Sequence, residues 1–563
     1  MVQSLAASLT SREAQAFPVL APADIARMQR FGEAVSFRQG ERVMTAGTAA
    51  PGLVVVHSGR IAVSQGGKLH DSEIIVTHGA GQFMGELAQL SARPSLVDAD
   101  AIEPVEATVI RAARLRDLLV QEADLGERIM RALILRRVGL LQSGRVGPVI
   151  IGPAEHPDVL RLQNFLARNG QPHFALDAET DACGQTLVAR FHIDPDHLPI
   201  VLCPNGKILR NPTEQALARC IGIVQPIDAE KLYDVAIVGA GPAGLAAAVY
   251  AASEGLSVIV LDCRAFGGQA GASARIENYL GFPTGISGLA LMARAHNQAQ
   301  KFGVEIAIPD QANRLALQRD GGEVRYRIDV GDDEWVRARS VVLATGVRYR
   351  RLEVDNLAAF EGASVHYWAS PIELKLCDGQ EVALVGAGNS AGQAAVYLAS
   401  RVKKVTLLAR GASLRSSMSH YLVERILAQP NIEVLTGCAI SALAGSEGCL
   451  ERVTWRNGAG ETTRDVGHLF LFIGADPNTD WLAECDIDLD DKGFIRTGAA
   501  CGGGKHPLET NLPGVFAIGD VRSGSVKRVG AAIGEGAQVV AALHAYLAAT
   551  GAEGTAPASA ARA

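Results

Sequence analysis

The sequence predicts a chain of several domains: a β-roll, then a small α/β domain, then a large α/β unit in which one motif occurs twice. Residues 31–112 contain short apolar runs separated by glycines, a pattern typical of a β-roll. Strands and helices alternate in residues 147–223, and again over roughly 300 residues from Leu232 to Leu547. A length of 563 residues also fits three or four domains at roughly 100–200 residues each.

Composition and charge exclude several classes of protein. With 48% hydrophobic and 20% charged residues, the chain is not disordered. A net charge of −7 gives no general attraction to nucleic acid or to an anionic membrane. The uncharged stretch 235–253 has the length of a membrane span. Glycines and a proline near its start favour a strand, a turn and a helix instead, so we expect no span.

The cysteines are important for their positions rather than for their number. Nine cysteines are present, and no two are three positions apart, so the chain contains no Cys-x-x-Cys. We find no secretory signal at the N-terminus and therefore expect a cytoplasmic protein with reduced thiols. Cys183, Cys203 and Cys220 are expected to be packed small side chains. No metal site is predicted.

The two front units are predicted from local patterns. Helical periodicity over residues 114–141 predicts one helix after the β-roll. The next unit has the order of a small α/β domain, with a hairpin around Asn205-Gly206. Its remaining elements are predicted as strands at 149–151, 173–176, 199–203 and 207–209 and helices at 156–169 and 213–220.

The first glycine-rich motif of the large unit follows a buried strand at 233–238 and precedes an apolar helix. Its glycines allow a tight turn and let backbone N–H groups approach a diphosphate at the helix N-terminus. Asp262 ends the next strand, where an acceptor for a ribose hydroxyl is expected. The sequence therefore predicts a dinucleotide site that includes Gly239, Gly241, Pro242, Ala243, Gly244 and Asp262.

The same arrangement recurs after the strand at 381–385. The next strand ends at Arg410, with Arg415 just beyond, where an acid would suit a ribose 2′-hydroxyl. Arginine suits a 2′-phosphate, so we expect this second site to prefer NADPH. The alternative is that both arginines lie on a solvated loop. The turn itself comprises Gly386, Gly388, Asn389, Ser390 and Ala391.

These motifs, one nucleotide fold inserted in another, resemble the low-molecular-weight thioredoxin reductases. Further matching segments occur in the family's order between Leu232 and Leu547. The resemblance implies FAD and NADPH as cofactors, a homodimer, an FAD domain at 232–347 and 474–550, and an NAD(P)H domain at 348–473. The cofactor residues that it adds are Gly268, Gln269, Asn278, Thr345, Gly346, Gly519, Asp520, Arg528 and Val529.

The chain departs from this family at its reaction centre. The family carries Cys-x-x-Cys after a tyrosine, whereas this chain has Trp368 and Pro371 in those two places after Tyr367. Cys377 stands alone, and a single thiol cannot cycle between dithiol and disulfide. We therefore assign no catalytic residue and interpret Cys377 as structural or incidental.

The β-roll resembles cyclic nucleotide-binding domains, with Gly85, Glu86, Leu87 and Ala88 in the phosphate-binding cassette. The family's arginine would fall at Ser95, so a bound nucleotide needs Arg93 or another base. A structural or partner-binding role is the alternative. The expected boundaries are 1–143 for this domain, 144–224 for a domain that resembles thioredoxin or glutaredoxin but lacks their Cys-x-x-Cys, and 551–563 for a disordered tail.

Two functions follow from the whole sequence. The first is an NADPH-dependent FAD oxidoreductase whose acceptor is not an internal disulfide. A ferredoxin- or flavodoxin-like protein, a small molecule or a partner's disulfide could accept the electrons, and regulation by the front domain stays open. The second is a flavoprotein sensor or scaffold without sustained turnover. No nucleic acid partner is expected.

Overall fold

The computed structural model describes most of the chain. Its β-sheets belong to four units: a front unit, a small unit, a large unit and a unit inserted in the large one. The described residues are 14–65, 74–85, 89–90, 94–143, 147–181, 185, 188, 198–224, 227–320, 323–331, 334–446, 448–502 and 504–553. Among them, no helix has both the length and the apolar character needed to cross a membrane.

The front unit is built from two four-stranded sheets, in the orders β1-β8-β3-β6 and β2-β7-β4-β5. Alternating burial along β7 turns its apolar side chains inward. Gly59 makes the turn before β4, and a Cβ there would lie 2.1 Å from the Pro104 carbonyl oxygen. The elements are α1 (Pro22–Gln29), β1 (Glu33–Phe37), β2 (Arg42–Met44), β3 (Leu53–Ser58), β4 (Ile61–Gln65), β5 (Ile74–His78), β6 (Phe83–Met84), β7 (Val97–Ala101) and β8 (Val105–Ile110).

Two helices follow the roll, α2 (Ala112–Gln121) and α3 (Ala123–Ser143). The prediction of one helix over 114–141 is therefore wrong. Glu122 leaves the helical conformation with φ −112° and ψ 74°. The break lets both helices pack their apolar faces on α1 and the roll.

The small unit has a four-stranded sheet in the order β10-β9-β11-β12. β10 is parallel to β9, while β11 is antiparallel to both β9 and β12. The Leu198–Pro199 bond, just before β11, is cis. The elements are β9 (Val149–Gly152), α4 (Pro157–Arg168), β10 (Phe174–Asp177), β11 (Ile200–Leu202), β12 (Ile208–Arg210) and α5 (Glu214–Cys220).

The first half of the large unit forms a seven-stranded sheet in the order β15-β14-β13-β18-β17-β16, with β29 (Val515–Ala517) on β18. β13 and β14 are buried throughout apart from two positions of β13, as expected for parallel strands covered on both faces. The elements are β13 (Leu232–Val238), α6 (Pro242–Ser253), β14 (Val258–Leu261), α7 (Gly268–Gly271), α8 (Gly288–Lys301), β15 (Glu305–Ala307), β16 (Ala312–Asp320), β17 (Glu323–Val330), β18 (Glu334–Leu343) and β19 (Val347–Tyr349).

The inserted unit has a parallel sheet in the order β20-β27-β21-β22-β23 and a meander β24-β25-β26. Its elements are α9 (Leu357–Phe360), β20 (Val365–His366), α10 (Pro371–Leu376), β21 (Glu381–Val385), α11 (Asn389–Ala399), β22 (Lys404–Ala409), α12 (His420–Leu427), β23 (Ile432–Thr436), β24 (Ala439–Ser446), β25 (Cys449–Asn457), β26 (Gly460–Asp465) and β27 (His468–Leu471).

The chain returns through β28 (Ala475–Pro477), which pairs with β19 to form the crossing between the two nucleotide folds. β29 (Val515–Ala517) then rejoins the first sheet, and α13 (Val529–Glu553) packs on α6. The two helices touch closely at Gly536, where a Cβ would lie 2.5 Å from the Ala243 carbonyl oxygen.

Candidate functional site

One cleft of about 1620 Å³ lies between the two nucleotide folds. The carboxyl ends of β13 and β21 open into it, which is where ligands bind in parallel α/β sheets. Most of the predicted cofactor residues line this cleft. They are Gly239, Gly241, Pro242, Ala243, Asp262, Gly268, Gln269, Thr345, Gly346, Gly386, Gly388, Asn389, Ser390, Ala391, Arg410, Gly519, Asp520, Arg528 and Val529.

The first glycine turn is shaped by close backbone contacts. Gly239 has φ +113°, and a Cβ there would lie 2.2 Å from the Ala344 carbonyl oxygen. A Cβ on Gly244 would lie 1.9 Å from the Gly239 carbonyl oxygen, so this glycine closes the turn and does not line the cleft. Gly241 is the N-cap of α6, and a Cβ on it would meet no protein atom within 4 Å. The turn thus leaves open space at a helix N-terminus, which fits the FAD diphosphate.

The second turn repeats this design. Gly386 has φ +150°, and a Cβ there would lie 2.6 Å from the Phe472 carbonyl oxygen. Gly388 is the N-cap of α11 and has open space where a Cβ would stand. Asn389 accepts a hydrogen bond at Oδ1 from the Ser419 backbone N–H at 2.7 Å, which fixes the neighbouring loop. This turn fits the diphosphate of NADPH for the same reason.

Asp262 holds the first turn together. Its carboxylate accepts backbone N–H groups from Ala240 at 2.9 Å, Arg264 at 3.0 Å and Ala265 at 3.2 Å. Burial raises the pKa of Asp262, while these hydrogen bonds oppose that shift. A carboxylate has about four acceptor positions, so one is left for a ribose hydroxyl.

The crossing between the folds is closed by paired side chains. Thr345 Oγ1 donates to the Asn478 carbonyl oxygen at 2.9 Å, and Asn478 Nδ2 donates to the Thr345 carbonyl oxygen at 2.9 Å. Gln269 Nε2 donates to the Val347 carbonyl oxygen at 2.6 Å. The loop that contains Gly268 and Gln269, here called the FAD-side loop, is therefore hydrogen-bonded to the crossing, and the two form one connected wall of the cleft.

Gly519 and Asp520, which follow β29, also line the cleft. The Gly519 N–H donates to Glu535 Oε2 at 2.6 Å, and Glu535 also pairs with Arg522. Burial raises the pKa of Asp520, which lines the cleft. Lys527, which no sequence motif marked, donates to the Asp520 carbonyl oxygen.

Besides Gly244, two predicted residues lie away from the cleft lining. Asn278 is exposed. Arg415 donates from Nη2 to Glu424 Oε1 at 2.9 Å, so it faces α12. Arg410 is exposed and lines the cleft, and its contact with a 2′-phosphate stays a prediction.

The place of the missing redox cysteines is a hydrogen-bonded turn around a buried carboxylate. Glu373 is 3% exposed. It accepts Trp368 Nε1 at 3.1 Å, the Ser370 N–H at 2.9 Å and the Ser370 hydroxyl. Asn164 of α4 also donates to it at 3.4 Å. Pro371 begins α10. The turn is stabilised by these hydrogen bonds and also contacts the small unit through Asn164.

Cys377 is buried beside this turn. Burial raises the pKa of its thiol to about 12, with the nearby Glu373 charge adding to the shift. Only the thiolate is reactive. The structural interpretation of Cys377 agrees with this environment.

Arg168 was missed by sequence reasoning. It ends α4 in the small unit, yet it lines the cleft of the large unit and donates from Nη2 to the Gly268 carbonyl oxygen at 3.1 Å. No motif surrounds it, because its position depends on how the units pack. Tyr349 was missed for the same reason; it also lines the cleft, and burial raises its pKa to about 12.

The predicted cyclic nucleotide pocket is described only in part. Glu86, Leu87, Ala88 and Arg93 lie outside the described residues. Gly85 has φ +153°, and its carbonyl oxygen accepts Arg136 Nη1 at 2.9 Å. Ser95 is buried and donates to the Val97 carbonyl oxygen at 2.7 Å, so its hydroxyl is used within the roll.

The expectation of reduced, packed thiols is wrong for Cys203 and Cys220, which form a disulfide. The residues are 17 positions apart, and their Cα atoms lie 6.5 Å apart. Folding brings them together because the end of β11 meets the last turn of α5. Cys183 lies outside the described residues.

Two dinucleotide folds that share a cleft define the class of the large unit, an oxidoreductase that uses a flavin and a nicotinamide. Residues 233–536 match the pyridine nucleotide-disulphide oxidoreductase family, and residues 34–122 match the cyclic nucleotide-binding domain. The chain belongs to the pyridine nucleotide-disulphide oxidoreductase family.

Individual relatives support this assignment. Thioredoxin reductase of Peptoclostridium acidaminophilum is 33% identical over 316 residues, 55% of this chain and 95% of the relative. One alkyl hydroperoxide reductase component of Pseudomonas aeruginosa is 31% identical over 399 residues, 68% of this chain and 72% of the relative. The crystal structure of Lactococcus lactis thioredoxin reductase matches with a TM-score of 0.51 and 28% identity, covering 56% of this chain and 99% of that one. The chain is thus an FAD-dependent oxidoreductase of this type, with FAD and NADPH as its cofactors.

Proposed function

We propose that the chain is an NADPH-dependent FAD oxidoreductase that passes electrons to an acceptor other than an internal disulfide. One observation carries the proposal: Trp368 and Pro371 stand where the family's redox cysteines are expected, and the chain has no Cys-x-x-Cys anywhere. When bound, the two cofactors supply hydride transfer from the nicotinamide to the flavin, which needs no protein thiol.

The surroundings of Trp368 support the proposal. A redox-active cysteine pair has to be reachable by its substrate, whereas this turn contacts helix α4 through Asn164 and Arg168. The nearest sequence candidate for a thiol, Cys377, is buried with a raised pKa. Electrons therefore leave toward a ferredoxin- or flavodoxin-like protein, a small molecule, or a disulfide on a partner.

Anaerobic mixing with NADPH tests the first half of this proposal. The flavin absorbance near its long-wavelength maximum should bleach, and a flavin that stays oxidised contradicts the function. A panel of acceptors then tests the second half. Sustained NADPH oxidation is expected with at least one acceptor, and negligible turnover is expected with thioredoxin.

A redox sensor without turnover is the alternative, favoured by the small unit, which has Pro153, Ala154 and Glu155 rather than cysteine after its first strand. Reduction of the flavin once, with no acceptor that sustains NADPH consumption, would support this alternative over the enzyme. The homodimer stays a prediction, and light scattering of the purified chain would test it.

The front domain is proposed to regulate the flavoprotein through α3. Arg136 donates to the Gly85 carbonyl oxygen of the cassette at 2.9 Å. Its neighbour Arg137 donates to the Gly170 carbonyl oxygen at 3.0 Å and to Gln171 Oε1 at 2.9 Å, just after α4. Helix α4 in turn reaches the cleft. A ligand that moves the cassette therefore has contiguous contacts toward the flavin site.

Rates of NADPH oxidation with and without cAMP or cGMP test this regulation. We expect a nucleotide that binds to change the rate, and the effect to shrink in Arg137→Ala while nucleotide affinity stays the same. A bound nucleotide that leaves the rate unchanged would count against regulation by this route.

A further inference from the structure

Arg168 connects three parts of the molecule at the flavin cleft. It is the last residue of α4 in the small unit. Its Nη2 donates to the Gly268 carbonyl oxygen in the FAD-side loop at 3.1 Å. Its Cζ lies 5.9 Å from the centroid of the Trp368 ring in the inserted unit. The small unit therefore places a cation inside a cleft that the large unit otherwise forms.

The guanidinium is only partly satisfied by these contacts. Its Nε is buried and has no hydrogen-bond partner among the described residues. Burial lowers the pKa of Arg168, although arginine keeps its charge in proteins. The nearby Asp262 carboxylate already accepts three backbone N–H groups. A half-buried guanidinium with an unpartnered Nε is stabilised by an anion that enters the cleft.

The loop that Arg168 holds lies against the first glycine turn. A Cβ on Gly268 would lie 3.2 Å from the Gly241 Cα, and Gly241 caps helix α6. Anions bind at such a helix N-terminus. We propose that Arg168 binds the diphosphate of FAD, so that the small α/β unit contributes a residue to the cofactor site of the large unit.

Other contacts fix the end of α4 where this role requires it. Asn169 Nδ2 donates to the Arg264 carbonyl oxygen at 2.9 Å, next to Asp262. Asn164 donates to Glu373 one turn earlier on the helix. The uncharged side chains of Asn164 and Asn169 position the helix, whereas Arg168 supplies the charge.

Titration of the FAD-free full chain with FAD, followed by quenching of flavin fluorescence, tests the proposal. Arg168→Ala should raise the Kd for FAD about tenfold or more, as expected for a lost charge-assisted contact. The Kd of Arg168→Lys for FAD should lie between those of the wild type and Arg168→Ala, because an ammonium keeps the charge without the planar fork. Arg161→Ala is the matched control, since Arg161 lies on the same helix and pairs with Asp158. Its Kd should equal that of the wild type.

Two outcomes would overturn the proposal. The first is an unchanged Kd for FAD in Arg168→Ala, with or without a weakened NADPH complex. The second is an equal loss of FAD affinity in Asn164→Ala, which would mean that docking of the small unit matters rather than the charge. Should Arg168→Ala fail to fold, Arg168→Lys and Arg168→Gln decide: tighter FAD binding by lysine supports the proposal, and equal binding overturns it.

The measurement is independent of the electron acceptor. It uses oxidised FAD without NADPH or acceptor, so a failure of the proposed function leaves its result unchanged. A failure of this inference likewise leaves flavin reduction by NADPH intact.

Discussion

At the scale of single residues, Gly241 and Gly388 give the clearest indication of where ligands bind in the cleft. Both cap helices at ordinary negative φ, −74° and −89°, and neither would meet protein atoms if it carried a Cβ. Their absence of a side chain therefore serves a ligand rather than the fold.

Alanine at these two positions should separate the cofactor sites. Gly241→Ala should weaken FAD, and Gly388→Ala should weaken NADPH, each by about tenfold or more, or ~1.4 kcal/mol. The other cofactor's affinity and the melting temperature of the apoprotein should stay near wild type. Fluorescence titration with each cofactor measures both effects. Equal loss of both cofactors in either variant would refute separate sites.

Arg410 and Arg415 provide a second test at this scale. Arg410 is at the cleft rim, whereas Arg415 pairs with Glu424. Arg410→Ala should raise the KM for NADPH more than that for NADH, because a charge-assisted contact with the 2′-phosphate contributes roughly 1.5–3 kcal/mol. Arg415→Ala is the control and should keep the wild-type preference. A preference for NADPH that survives in Arg410→Ala would remove this arginine from the phosphate.

At the scale of elements, the turn before α10 depends on the buried Glu373. Glu373→Gln replaces an acceptor with a donor that faces the Ser370 hydroxyl and N–H. Its unfolding free energy should fall by roughly 1–3 kcal/mol. Glu381→Gln is the control, because the exposed pair between Glu381 and Lys403 contributes about 0–1 kcal/mol. Urea unfolding of both variants measures the difference, and equal midpoints would show that the buried cluster does not stabilise the turn.

Two facing histidines on β20 and β27 make the inserted unit sensitive to acid. His366 Nε2 lies 3.1 Å from His468 Nδ1. Burial lowers the pKa of His366 to about 3 and that of His468 to about 4. Below the ordinary value near 6.5, the unfolded chain binds protons that the folded chain does not. Stability therefore falls as pH drops from about 6.5 toward 4.

His366→Gln should reduce this acid sensitivity. Each buried histidine costs up to about 1.4 kcal/mol per pH unit in that window, so the variant should lose less melting temperature than wild type between pH 7 and pH 5. His420→Gln, at an exposed position, should follow the wild-type curve. Calorimetry at the two pH values provides the comparison. Parallel curves for wild type and His366→Gln would contradict the assignment.

At the scale of the whole molecule, the disulfide lies where two units meet. Near it, a Cβ on Gly222 would lie 2.2 Å from Pro94 Cγ of the front unit, and a Cβ on Gly47 would lie 3.6 Å from the Asn205 backbone nitrogen. Leu202, which precedes Cys203, pairs with Val149 at the start of β9, whereas Gly152 is at the end of β9. The disulfide therefore lies at the opposite end of the small sheet from Gly152. It therefore faces the front unit and not the flavin cleft.

Alkylation in denaturant before and after reduction checks this bond. Two more cysteines should react after reduction, and mass spectrometry should locate them at Cys203 and Cys220. Closing a loop of this length contributes about 3 kcal/mol, so reduction should lower the stability of the small unit. Cys377→Ser is a control that should leave the two additional labels in place. Full labelling without reductant would contradict the bond.

The sequence by itself determined the parts of the molecule that depend on local pattern. The two strand–glycine–helix turns need particular residues at fixed spacing, so Gly239, Gly386 and their neighbours predicted the nucleotide folds and both cofactors. The absence of Cys-x-x-Cys is likewise a sequence property. The break at Glu122 was not predictable from periodicity, since α2 and α3 continue the same apolar pattern on either side of it.

The tertiary structure decided what depends on contacts between distant residues. Arg168 reaches Gly268 across 100 positions, and Glu373 accepts Asn164 across 209. Cys203 and Cys220 meet only when β11 and α5 pack together. The physical reason is the same in each case. The packing of whole elements and units determines a side chain's partners, and the spacing of residues along the sequence does not predict these contacts. The sequence therefore determined which cofactors this protein uses, and the tertiary structure determined that its small unit reaches their cleft.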